Sequence, residues 1–225
     1  MYSKSFKSLK KNLTEVDRLF EIHREIGGSD PGRRHQRLEV INKSAIVLTC
    51  AYWEAFIEEL CIEAATCLVK QIKIKEPDKV PQSLRASCLK CLNIKEVGEF
   101  WKVAVSDWKK IVIQNAEFRA QGKRDGDYGF TTPSVENIKD LFKHTLALED
   151  VTQSWRWQGQ RRKNAEEKLG QFIGLRSKIV HGVSPRNSVH LQYAEQQRDF
   201  IRNLGAATDE NVKLHLFSIT GKSPW

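Results

Sequence analysis

The chain has 225 residues, 40% of them hydrophobic and 29% charged, the balance of a soluble globular protein and not of a disordered or membrane one. With a norm of about 150 residues per domain, it fits a single domain over residues 1–225. Lysine and arginine number 37 against 28 aspartates and glutamates, a net charge of +9 that favours a polyanionic partner, nucleic acid above all, without identifying a reaction. The longest uncharged apolar run, Ser44 to Trp53, is well short of the roughly 20 residues a membrane helix needs. Lys10, Lys11 and Glu15 stand where a secretory signal would be apolar, so a cytoplasmic protein with no membrane association is expected. Five cysteines fit that compartment as reduced thiols.

Apolar periodicity predicts helices along most of the chain. Phe6, Leu9, Leu13, Val16 and Phe20 form a first amphipathic helix, closed by Gly27-Gly28 and Asp30-Pro31-Gly32. Leu38, Ile41, Ala45, Leu48, Tyr52 and Ala55, widened by Val47, Cys50 and Phe56, mark a long, heavily buried helix from Gln36 to Val69. A surface loop with Pro77 and Pro81 follows, then helices over Ser83–Leu92 and Lys95–Arg119, the latter with Trp101, Val105, Trp108 and Val112 on one face. Between Arg119 and Pro133 three glycines among charged residues predict a long exposed loop. Thr132 then suits an N-cap, with Pro133 in the first turn and Val135, Ile138, Leu141, Phe142 and Thr145 on the buried face. Helices over Arg161–His181 and Ser188–Leu204 follow, and the alternation of Val212 to Thr220 suggests a short strand. The architecture expected is an all-α helical bundle with extra short helices and an exposed loop. Its helical core spans about residues 36–204, with the first helix and the tail packed on it.

Several chemistries lack a seat in this sequence. Cys88-Leu89-Lys90-Cys91 has metal or redox spacing but no second half-site, and reads as packing. No phosphate-binding glycine loop is present, and no carboxylate cluster for two magnesium ions, so no metal or cofactor is expected and any nuclease here is metal-free. Lys123 and Arg124 on the exposed loop, and Arg161 and Arg162 beside Trp157, are the basic residues proposed for contact with RNA.

The strongest signal is Gly174-Leu175-Arg176-Ser177-Lys178-Ile179-Val180-His181. Arg176 falls on the stripe of Leu169, Phe172 and Ile173, where a permanent cation is costly unless it meets an anion. Five positions on a helix correspond to about 140° and about 7.5 Å, so Arg176 and His181 converge only if the arginine curls. Gly170, Gly174 and Ser177 lie on the face of His181, and helix-interior glycines cost on the order of 1 kcal/mol each, so a smooth face here needs a reason. One is close approach of another helix or of a phosphate backbone; the competing reading is tight packing inside the monomer with His181 as an end cap.

RSKIVH resembles the R-x4-6-H motif of the HEPN superfamily. The early AYWEAFIEEL, within Ala45–Leu60, and PSVENIKDLF, Pro133–Phe142, resemble two helices of its RiboL-PSP branch in the same order. The resemblance implies a helical fold and RNA cleavage without metal, with Arg176 and His181 catalytic, Ser177 supporting, and Glu54 fixing Arg176 or His181; the other reading of Glu54 is an exposed helix carboxylate. Family members commonly carry Asn, Asp or His directly after the arginine, where this chain has Ser177.

The expected activity is therefore a metal-independent endoribonuclease, a toxin or anti-phage defence effector, working as a homodimer by 2′-OH attack on the neighbouring phosphorus. RNA, including tRNA, is the expected substrate, and an antitoxin or regulatory protein an expected partner. The alternatives are a non-catalytic RNA-binding or dimerisation module that regulates a neighbouring partner, and a helical adaptor with a basic surface.

Overall fold

The computed structural model describes residues 1–27, 35–73, 75–91, 97–122, 129–182 and 189–225. Among the described residues there are seven α-helices: α1 Lys4–Gly27, α2 His35–Gln71, α3 Gln82–Cys91, α4 Val97–Gln121, α5 Val135–Leu146, α6 Arg162–Val180 and α7 Leu191–Thr220. Short 3₁₀ turns lie at Pro77–Lys79 and Val151–Ser154. The all-α expectation holds, and the side chains of Cys91, Trp101 and Val105, with the whole of Lys123, Arg124 and Ser188, lie outside the described residues.

Helix α2 is the axis of the bundle, touching α1, α4, α5, α6 and α7. Its sequence explains why: Ala45, Ile46, Cys50, Trp53, Phe56, Ile57, Leu60, Cys61, Ala64 and Leu68 are buried and fall on more than one face. A helix apolar on several sides must be surrounded. Trp53 meets Trp155 edge-on with ring centroids 6.5 Å apart, and the Trp155 indole N–H donates to the Thr208 hydroxyl at 3.0 Å.

Helix α1 lays Phe6, Leu9, Leu13, Val16 and Phe20 on α2 and α7, the spacing read from the sequence. Gly205 on α7 permits the approach, because a Cβ there would stand 2.7 Å from Leu9 and 3.1 Å from Phe6. The free amides at the start of α1 are met by carboxylates of other helices: Glu63 accepts from the Lys4 and Ser5 N–H groups, each at 2.9 Å, and buried Asp209 accepts from Ser3. Negative charge at a helix N-terminus satisfies both its open donors and its dipole. Ion pairs of Arg198 with Asp17 and of Arg24 with Glu195 hold the same helices at the rim.

Two expectations are corrected. Val212 to Thr220 is not a strand but the last turns of α7, with Val212 and Leu216 buried four apart while Leu214 and Phe217 face outward. Those two exposed apolar residues imitate alternation, and burial of the helical pair against the bundle overrides it. Thr132 is not the cap of α5 either. Ser134 caps it, its hydroxyl accepting the Asn137 N–H at 3.2 Å, and Thr132 stands two residues earlier with φ of 57°. A β-branched residue in the left-handed region is strained, so its surroundings must hold it there.

Candidate active site

Helix α6 runs from an ion-paired start to an exposed end. At its start Arg162 pairs with Asp150 at 2.6 Å and Glu166 at 3.3 Å, and Lys139 of α5 joins Glu166 at 2.9 Å. Three hydrogen-bonding partners hold the Glu166 carboxyl below its ordinary value in spite of burial, the largest single influence on it. Arg162 is thus bound into a network that fixes the register of α6 against α5, whereas Arg161 is exposed. The neighbouring Trp157 indole packs on Phe200 at 6.0 Å and is half-buried.

Further along α6, Leu169 and Phe172 are fully buried against the core, and Ile173 and Arg176 follow on the flank of that stripe. Ile173 and Arg176 line a cleft of about 220 Å³ with Cys50 and Glu54 of α2 and with the loop Thr131-Thr132-Pro133. The pairs are i,i+3 on α6 and i,i+4 on α2, so two helix faces supply one wall each and the loop closes a third side. The Arg176 Nε is buried and has no hydrogen-bond partner, and no ion pair engages its guanidinium among the described residues. A cation in that position is costly until an anion reaches it.

The loop is held in its strained form from two directions. The Glu54 carboxylate accepts the Thr132 N–H at 3.3 Å, and the Asn137 amide donates to the carbonyls of Thr131 and Thr132, each at 2.9 Å. The charges of Arg176 and Glu54 both reach Cys50: burial pushes its thiol up to about 11, Arg176 opposing and Glu54 adding to the rise. One turn beyond Glu54, burial together with the charges of Glu54 and Glu59 pushes the Glu58 carboxyl up to about 7. Of these α2 acids, Glu54 is the one that lines the cleft with Arg176.

His181 is apart from this cleft. It is the C-cap of α6, exposed, its backbone N–H donating to the Ser177 carbonyl at 3.0 Å. Ser177 is half-buried on the next position after Arg176. Gly170 and Gly174 are exposed, and a Cβ on either would meet nothing within 4 Å. Tight packing inside the monomer therefore does not account for these glycines; the smooth face is open.

A family model for RiboL-PSP-HEPN matches residues 7–213. The chain belongs to the RiboL-PSP-HEPN family. Membership points in general to a nuclease or RNA-binding role, and the match takes in all of α2 through α6 and most of α7. No curated protein and no solved structure matches this chain.

Of the residues singled out in the sequence, the fold of this RiboL-PSP-HEPN chain brings Arg176 and Glu54 to one cleft and leaves Ser177 and His181 out of its lining. Sequence reading missed Cys50, Ile173, the Thr131-Thr132 loop and Asn137. The i,i+4 spacing of Cys50 and Glu54 on one helix face was the available signal for the first; nothing local marks the loop as part of the same cleft.

Proposed function

We propose that this RiboL-PSP-HEPN chain is a metal-independent endoribonuclease, acting as a toxin or anti-phage defence effector, with Arg176 and His181 as its catalytic pair. The observation that carries the reading is the unneutralised Arg176 guanidinium lining a polar cleft. Its planar fork suits the non-bridging oxygens of a phosphodiester and would offset the charge that grows on them in the transition state. The imidazole of His181, a side chain able both to take and to give a proton, moves a proton to or from the reacting oxygens.

The position of His181 outside its own cleft, beside the open Gly170 and Gly174 face, supports a homodimer. Two copies of α6 approaching along that face about a two-fold axis would bring two Arg176/His181 pairs to one phosphodiester. RNA, tRNA included, is the substrate in this reading. Exposed Arg161 and the basic Lys123 and Arg124 would add backbone contacts, with Arg162 contributing through the placement of α6. An antitoxin or regulatory protein would be the partner that restrains the activity.

Purified protein incubated with tRNA and total RNA, with and without EDTA, tests this. Cleavage should persist in EDTA and leave 2′,3′-cyclic phosphate and 5′-OH ends. A strict magnesium requirement or 5′-phosphate products would refute the chemistry. Salt-sensitive RNA binding without cleavage would favour a non-catalytic RNA-binding module instead.

A further inference from the structure

Transfer of a phosphoryl group from O5′ to O2′ requires two proton movements in one turnover. The 2′-OH must lose a proton and the leaving O5′ must gain one. One imidazole cannot stand on both sides of the phosphorus at once, because attacking and leaving oxygens lie in line. Within one protomer His181 lies outside the cleft that Arg176 lines, so the group nearest a 2′-OH seated in that cleft comes from its walls.

The walls offer few choices. Cys50 is fully buried and its thiol is held protonated by burial, and Thr131, Thr132, Pro133 and Ile173 carry no base. Glu54 is the remaining proton acceptor, and its setting is that of a positioned carboxylate. The Thr132 N–H is donated to its Oε1, which fixes the side chain, while no hydrogen bond or ion pair engages Oε2 among the described residues. The backbone that makes this contact is itself held at positive φ by the Asn137 amide, so the loop is shaped before any ligand arrives. Such preorganisation is what a site needs where charge develops. The cleft volume of about 220 Å³ accommodates a ribose and its 3′-phosphate beside the two side chains.

We propose that Glu54 is the catalytic base of this site, taking the 2′-OH proton in the cleft whose opposite wall is Arg176. The assignment rests on the ribonuclease reading above and deepens it. Glu54 Oε2 receives the proton, the O2′ lone pair forms the new bond to phosphorus, and the P–O5′ bond breaks with its electron pair on O5′. A protonated His181, brought to the phosphodiester where two copies of α6 meet, supplies the proton to O5′, leaving a cyclic phosphate and a 5′-OH. Exchange of both protons with water then resets the carboxylate and the imidazole. The titratable and charged groups set against Glu54 are Arg176 from α6 and Cys50 and Glu58 from α2; the loop adds hydroxyls and backbone only.

The experiment compares wild type, Glu54→Gln, Glu54→Asp and His181→Ala on a short RNA that wild type cleaves, and on the same RNA with sulfur replacing the scissile O5′. A thiolate leaves without acid assistance, so the sulfur substrate removes the need for a proton donor and keeps the need for a base. His181→Ala should recover toward wild type on the sulfur substrate. Glu54→Gln retains an oxygen for the Thr132 N–H, and should bind RNA and melt as wild type does. It should stay about 10²–10⁴-fold slow on both substrates. The acid limb of its kcat/KM profile should disappear, whereas Glu54→Asp keeps that limb at reduced rate. Wild-type rate and profile in Glu54→Gln, or its rescue by sulfur, would overturn the base assignment and leave the ribonuclease reading standing. Absence of any metal-free cleavage by wild type would overturn both.

Discussion

Glu58 offers a sharp electrostatic test of the α2 face that borders the cleft. Burial, then the charges of Glu54 and Glu59, raise its carboxyl from the ordinary 4.5 to about 7. Because the folded value lies above the unfolded one, the protonated carboxyl favours the native state. Its contribution is fully present below about pH 4.5 and is lost as pH rises through about 7. At full weight the interval between 4.5 and about 7 corresponds to about 3 kcal/mol. The side chain is only half-buried, and solvent screening reduces this to about 1–2 kcal/mol. Glu58→Gln removes the ionisation and should therefore stabilise the protein by about 1–2 kcal/mol at pH 8 and by nothing measurable at pH 4. For a chain of 225 residues this is a rise in Tm of about 3–6 °C at pH 8. Thermal unfolding followed by circular dichroism at pH 4, 6 and 8 reads it directly: the gap between variant and wild type should open with pH. A gap of constant size, or none at pH 8, would refute the assignment of a strained carboxylate to this position.

The unpartnered guanidinium predicts a trade of function for stability. Arg176→Met should abolish cleavage while leaving Tm unchanged or raising it by a few degrees, since an apolar side chain fits the flank of Leu169 and Phe172 without an uncompensated charge; a fall in Tm would mean that Arg176 has a structural partner. At Gly174, which a Cβ would leave open to solvent, Gly174→Ala should stabilise the helix by about 1 kcal/mol if the face stays bare. If two copies meet there, Gly174→Leu should instead weaken dimerisation and activity together by sedimentation and RNA cleavage, and an unchanged active dimer would exclude this face as the seam.

The helices were legible because burial imposes a period on the residues that carry it. The stripe from Phe6 to Phe20, the many-sided apolar surface of α2 and the face from Val135 to Leu146 follow directly from which side must avoid water. The half-buried cation Arg176 was legible for the same reason, as a charge on an apolar stripe. Where the period was diluted by exposed Leu214 and Phe217, the end of α7 looked like a strand, and only its burial of Val212 and Leu216 in the bundle decided for helix. The choice of Ser134 over Thr132 as cap was equally beyond local sequence, since both are good N-caps. Glu54, 78 residues away in the chain, and Asn137 hold Thr132 in a conformation its own chemistry disfavours. The sequence alone determines which residues seek burial and which charges lack a partner. Which of them share a cleft depends on contacts between α2, α6 and the loop before α5, because such proximity comes from packing of distant helices and leaves no local period to read.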